Sequence, residues 1–491
     1  MHIQHENCRP DCVRIITLAI ALIPSQVSGQ QPAPLEQIPQ LVDQHAAHFS
    51  GISRTIWEYA EVGYQEVKSS AVLQRELQSA GFRVLSPVAD EPTAFVATYG
   101  QGEPVIGILG EFDALPGLSQ AATPDRNPVT ANAPGHGCGH NLLGSGAALA
   151  AVALKEYLQL NHVAGTLRYY GTPAEEGGDG KVYMVRAGLF RDVDVVLHWH
   201  PNNKNAVGNG GMLAIDSARF LFHGVAAHAA VAPERGRSAL DAVMLMGNGI
   251  EFLREHVPSN SRIHYIISNG GAAPNVVPDT AELYLYARNP SSQVLSGVWD
   301  RILKIAQGAA LMTETTLEVK EIGGDANILP NDALAKVAQR NLEEVGGFHY
   351  TAEEKQFAEE LQKSLPPDGA GEFDSSMLIR PLRRPDPNEA AASTDVGDVS
   401  WNVPTIGFLT ATFVPGVVPH TWQAAACAGM SIGQKGMIVA AKALALTGAD
   451  LFLHPQLVSD ARADFKRQME GRTYQSVIPA GQKPPMNYRQ K

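Results

Sequence analysis

At 491 residues the chain is too long for one ordinary domain, and units of about 150 residues give an expectation of three. Apolar residues make up 44% and charged residues 18%, so a sizeable core is available. A net charge of −12 argues against a nucleic-acid partner, which favours a basic face.

Residues 1–29 read as a secretory signal. Arg9 and Arg14 precede or open an apolar run over 13–23, Pro24 ends it, and the small residues Ser25, Ser28 and Gly29 follow. The run is shorter than the ~20 residues of a membrane span, so a secreted or periplasmic protein with no membrane contact after cleavage is expected. Cleavage would remove Cys8 and Cys12 and leave Cys138 and Cys427, too few for a disulfide scaffold. Residues 30–40 are rich in Pro and Gln and read as a linker.

From Leu41 the apolar residues fall near a helical period, and a second helix is predicted over 68–80, closed by Gly81. Short apolar or β-branched runs follow at 95–99, 105–109, 166–170 and 193–197, with an Ala-rich helix over 144–158 between the second and third. Such alternation predicts an α/β fold with a mostly parallel sheet covered by helices on both faces. The pattern changes near Gly208–Gly211. Strands at 213–223, 262–268, 280–288 and 316–322, with helices at 238–256 and 296–312, give the order β-α-β-β-α-β of a ferredoxin-like unit. The expected division is 41–209 for the first part of the main domain, 210–327 for the inserted unit, 328–450 for the second part and 451–491 for a peripheral tail.

Five motifs carry chemistry. APGHGCGH (133–140) places Cys138 and His140 on a Gly-rich loop, and a thiolate with an imidazole suits a zinc-like ion; His136 is a further candidate. TPAEEGG (172–178) places two adjacent glutamates at a strand's C-terminal end, where open parallel sheets bind ligands and paired carboxylates divide metal binding from proton transfer. DVVLHWHP (194–201) offers His198 and His200 on one face of a strand, and VVPHTWQ offers His420 before the apolar helix 433–447. EFDALP (111–116) supplies Asp113, suited to accept from a ligating histidine and orient it. Each is modest alone; their convergence on one sheet edge points to a metal site.

Together EFDALPG, HGCGHNLLG, TPAEEGGDGK, WHP, NVVPDTAELYLYAR, STDVGDVSW and PHTWQ resemble the metal-dependent aminoacylase/carboxypeptidase family, in its amidohydrolase branch, over roughly residues 40–450. The resemblance implies a two-metal aminopeptidase-like catalytic domain with an inserted ferredoxin-like lid that dimerises. It implies two divalent ions, Mn or Zn, per subunit, on Cys138, His140, Glu176, His200 and His420, with Cys138 bridging. It makes Glu175 the general base, His228 a lid residue that stabilises an oxyanion in a neighbouring active site, and Asn275 and Arg288 the holders of a substrate carboxylate; Asp113, as the orienter of a ligating histidine, is counted with the catalytic residues. The implied substrates are N-acyl or N-aroyl amino acids such as p-aminobenzoyl-glutamate, with a homodimer as the assembly. Dipeptide hydrolysis, or small-molecule binding without catalysis, are the competing readings. Two positions depart from the wider family: Glu111 stands where many members have a ligating histidine, and Asn141 where relatives often have aspartate. A contribution from Glu111, Asp395 or Asp398 is left open.

Overall fold

The structure, a computed structural model, describes residues 35–489 apart from 368, 385 and 391. The signal reading, Cys8 and Cys12 lie outside the described residues.

Eleven strands form two sheets among the described residues. The first, seven-stranded sheet runs β1(Arg83–Leu85), β2(Phe95–Gln101), β4(Gly165–Thr172), β3(Val105–Glu111), β5(Val195–Asn202), β11(Thr405–Ala411) and β6(Ala206–Gly208) in spatial order. Its centre, β4–β3–β5–β11, is parallel, and the flanking strands pair antiparallel. Near-continuous apolar runs such as VIGILGE suit strands buried on both faces. Ile106, Ile108, Leu167, Leu197 and Phe408 face the helices Gln37–Tyr59, His140–Leu160 and Ser431–Leu453. Val105, Leu109, Tyr170 and Val196 face the shorter helices Gly180–Arg186 and Val396–Ser400. One described helix, Ser431–Leu453, is long and apolar enough to cross a membrane, and 83% of its most apolar window is buried in this core.

The second sheet contains β7(Ala214–His223), β8(Arg262–Asn269), β9(Thr280–Asn289) and β10(Thr316–Asp325) in the order β10–β7–β9–β8, all antiparallel. Period-two alternation in β9 sends Leu283, Leu285 and Ala287 onto the helices Ala239–Arg254 and Ser292–Thr313. Tyr284, Tyr286 and Arg288 take the uncovered face. The ferredoxin-like order read from sequence is present.

Three readings need correction. Residues 37–40 are not linker but the first turn of a helix, with Ile38 fully buried. Strand β11 was not foreseen, because TIGFLTA, though as long as β3, lies between loop-like segments. The stretch after Phe452 is not peripheral: the helix Pro455–Met469 seats Val458 and Ala461 in the main core, and Ile478 packs on Val182 and Tyr183. In that helix Val458, Ala461, Phe465 and Met469 recur at three- and four-residue spacing, and the last two pack against the cluster of Ala326, Leu329 and Trp401.

Candidate metal centre

The loop before His140 bends where only small residues fit. Gly139 has φ +80°, and a side chain there would meet Pro201 at 3.0 Å. The helix it opens is pressed onto the sheet: a Cβ at Gly144 would lie 2.6 Å from the Glu111 carbonyl. The Tyr169 hydroxyl donates to Gly144 O and the Trp199 indole to Leu143 O. These contacts pin the helix start that carries His140 against β4 and β5.

Asp113 joins two loops. One oxygen accepts from His140 Nδ1 at 2.8 Å and the other from the Glu176 N–H at 3.0 Å. Burial alone would raise this carboxyl, but His140 and the Glu176 N–H hold it below the usual carboxylate range. With Nδ1 engaged, His140 turns Nε2 toward the centre.

The Glu175–Glu176 turn follows β4 and is strained. Ala174 has φ +56°, a left-handed conformation that costs a side-chain-bearing residue about 1–2 kcal/mol. It is held by Glu66, whose carboxylate accepts from Ala174 N–H at 2.9 Å, and by Tyr64, whose hydroxyl donates to Gly178 O at 2.6 Å. The Glu175 carboxyl is pushed well up by burial, then by the neighbouring Glu111 and Glu176.

β5 continues through the WHP motif, so His198 and His200 lie within the strand and not beyond it. His200 Nε2 comes to 3.4 Å from Cys138 Sγ, while its Nδ1 donates to Pro201 O. His198 instead packs over Gly407 of β11, and His136 donates to Ile56 O; neither joins the cluster. His420, half exposed with φ +65°, sits after β11 at the open side, its N–H tied to Gly137 O and its Nε2 3.1 Å from Glu176 Oε1.

Ligand-type atoms of Cys138, His140 and His200 lie within 4.8 Å of one another, as do those of Cys138, Glu176 and His420. The two groups share Cys138. A third such group is Glu111, His140 and Glu175. Nε2 of His140, Oε2 of Glu111 and Oε1 of Glu176 are buried and make no hydrogen bond among the described residues. Buried polar atoms rarely go unpaired, and unpaired N and O atoms converging beside a buried thiol fit metal ions.

Sequence reasoning missed Lys181. It lies in the quoted GGDGK segment, fully buried, with its ammonium 2.7 Å from Glu111 Oε1 and 2.7 Å from Asp395 Oδ1. The Lys181 N–H also donates to Asp395. Burial works against its charge, but Asp395 and Glu111 outweigh that and raise its pKa. Glu111 is thus held on one oxygen, with the other 3.3 Å from His140 Nε2. Asp398 serves elsewhere, accepting from Ala326 N–H and the Tyr474 hydroxyl. Asn141 donates to Ser53 and to Ala428 O, fastening helices without joining the cluster.

The lid candidates stand apart. His228 and Asn275 are neighbours, with Ala229 N–H donating to Asn275 O, and both are exposed. Arg288 lies over the Tyr286 ring at 5.4 Å. Among the described residues none of the three forms a hydrogen bond or ion pair with the metal-type cluster.

A family model for Peptidase family M20/M25/M40 matches residues 107–363, more than half of the chain. The chain belongs to this family. It is 40% identical over 466 residues to a p-aminobenzoyl-glutamate hydrolase polypeptide of Escherichia coli (strain K12), covering 90% of this chain and 97% of that one. It is 31% identical to the Xaa-Arg dipeptidase of Homo sapiens, covering 89% and 93%. A Bacillus subtilis dinuclear metal binding peptidase of the M20 family shares the fold at a TM-score of 0.58 and 18% identity, over 84% of this chain and 99% of that one. The family match spans the Cys138, Glu176 and His200 motifs and the ferredoxin-like unit; His420 lies beyond it.

Proposed function

We propose that this M20-family chain is a two-metal amidohydrolase that cleaves N-acyl or N-aroyl amino acids, with p-aminobenzoyl-glutamate as the first substrate to test. One observation carries the reading: two ligand-type groups share the Cys138 sulfur, with the carboxyl of Glu175 beside them. The 40% identical relative named for p-aminobenzoyl-glutamate hydrolysis supports the substrate class.

Cys138, His140 and His200 would hold one ion, and Cys138, Glu176 and His420 the other. Burial and the Glu176 charge keep the Cys138 thiol protonated without a cation, so binding would release its proton. When bound, the ions supply Lewis acidity toward the amide carbonyl and bring a water's pKa near 7. Glu175 takes a proton from the attacking water and delivers it to the departing amine nitrogen. Asp113 fixes the tautomer of His140. His228 would reach the cleft of a second copy and face the oxyanion, and Asn275 with Arg288 would hold the substrate carboxylate. Exposed apolar side chains on the lid, among them Phe252 and Leu311, support a homodimer. The thiolate tilts metal choice toward zinc over manganese.

The test is release of free amino acid by protein reconstituted with two equivalents of Zn²⁺ or Mn²⁺. Glutamate release from p-aminobenzoyl-glutamate is expected. No release from any acyl amino acid at full loading would refute the proposal. Preference for basic dipeptides would favour the second reading, which the dipeptidase relative motivates. Glu175→Gln should keep both ions and lose at least ~100-fold in turnover.

A further inference from the structure

We propose that the C-terminal strap, residues 474–489, is a positioning element of the catalytic turn, and that Tyr488 and Arg489 aim Glu175 and Glu176 by holding the Glu176 carbonyl. The strap is anchored along its whole course. The Tyr474 hydroxyl donates to Asp398 at 2.6 Å. Gln482 O accepts from Arg186 and Lys483 O from the Tyr183 hydroxyl. Gln482 Nε2 also donates to Glu321 O in β10 of the lid, and Met486 O accepts from Gln65. Having crossed the lid's last strand and the helix Gly180–Arg186, the strap reaches the turn itself. The Tyr488 hydroxyl donates to Glu176 O at 3.0 Å, and the Arg489 guanidinium donates to the same oxygen. The Tyr488 ring meets Tyr64 edge-on at 6.0 Å, and Gly63 leaves room for its hydroxyl, which a Cβ there would strike.

The turn needs such a hold. Ala174, just before the glutamate pair, has left-handed φ, and a strained backbone persists only where its surroundings over-determine it. Asp113 grips Glu176 by its N–H, Glu66 grips Ala174, and Tyr64 grips Gly178. The Glu176 carbonyl is the remaining handle, and the donors of Tyr488 and Arg489 converge on it. Beside the anchors that run along the strap, Tyr488 and Arg489 contact the peptide next to a ligand-type carboxylate. Supporting contacts of this kind change metal affinity by about 10–100-fold.

The experiment compares the full chain with Tyr488→Phe, Arg489→Ala, Arg489→Lys and a truncation after Met486. Three quantities are read: Co²⁺ affinity by chelator competition, the thiolate-to-cobalt absorption band, and the thermal midpoint of the metal-free protein. The expected result is Co²⁺ binding weakened about tenfold or more in the truncation, less in Tyr488→Phe, with a shifted absorption band, near-parental metal-free midpoints and recovery in Arg489→Lys. These readouts are independent of the substrate proposed above. With any amide the enzyme turns over, kcat should fall while KM holds. Unchanged Co²⁺ affinity and spectrum in both the truncation and Tyr488→Phe would overturn the proposal. So would a fall in metal-free midpoint with no change in Co²⁺ binding, which marks a strap that is structural alone.

Discussion

At the scale of single residues, the site depends on which atoms are left without partners. His140 and Glu176 each spend one group on Asp113 and turn the other to a shared centre. Cys138 lies in both ligand-type groups, so Cys138→Ala should lower the bound metal by elemental analysis; two retained equivalents would refute its shared role. Lys181 poses a different problem. Breaking a buried ion pair by removing one partner typically costs about 3–5 kcal/mol, because the remaining charge is left uncompensated. Lys181→Met strands both Glu111 and Asp395, and should lower the denaturation midpoint sharply. Adding Glu111→Gln and Asp395→Asn should restore most of that stability; failure to recover would mean the ammonium does more than balance charge. Lys181 was visible in the sequence as a residue of GGDGK, but its partners Glu111 and Asp395 are 70 and 214 positions away and no local pattern announces them.

At the scale of elements, the strands and helices near the site follow from patterning, and the ends do not. β5 extends into WHP because Trp199 is buried in the main core, which keeps the chain extended and puts His198 and His200 on one face. His200 then meets Cys138 because β5 neighbours β3 and β11, a pairing that strand periodicity leaves unspecified. In the lid, Asp216 of β7 is largely buried, and its carboxyl is pushed up to about 8, first by burial and then by Glu321. The folded form therefore binds this proton more tightly than the unfolded chain does, near an ordinary value of ~3.9. Stability from Asp216 is complete below pH ~4 and is lost as pH rises toward 8. Asp216→Asn should flatten that part of the profile, matching the parent near pH 4 and exceeding it at pH 8 in thermal denaturation. A parental slope between those values would exclude this carboxyl as the cause.

At the scale of the whole molecule, the centre gathers groups from the turn after β4, from β5, from the loop and first residue of the helix His140–Leu160 and from the loop after β11, so bound ions would link segments distant in sequence. A ligand that binds only the folded state at 100 times its Kd adds about 2.7 kcal/mol. Chelator treatment should therefore lower the thermal midpoint, and Zn²⁺ or Mn²⁺ should restore it; a midpoint indifferent to chelator would argue against a metal centre here. The proposed homodimer is checked by light scattering. A monomer at working concentration would remove the route by which His228 reaches a cleft.

Composition, periodicity and motif spacing determined the layered α/β plan, the ferredoxin-like insertion and the residue types from which a site could be built, because those depend on local period and on glycine-permitted turns. Tertiary structure decided which of those residues meet. It set His198 on Gly407 and His200 on Cys138, paired Lys181 with Glu111 and Asp395, and brought residues read as a loose tail onto the Glu176 carbonyl. The physical reason is the same in each case: burial makes an unpaired polar group costly, so the fold must supply its partner from wherever in the chain the packing brings one.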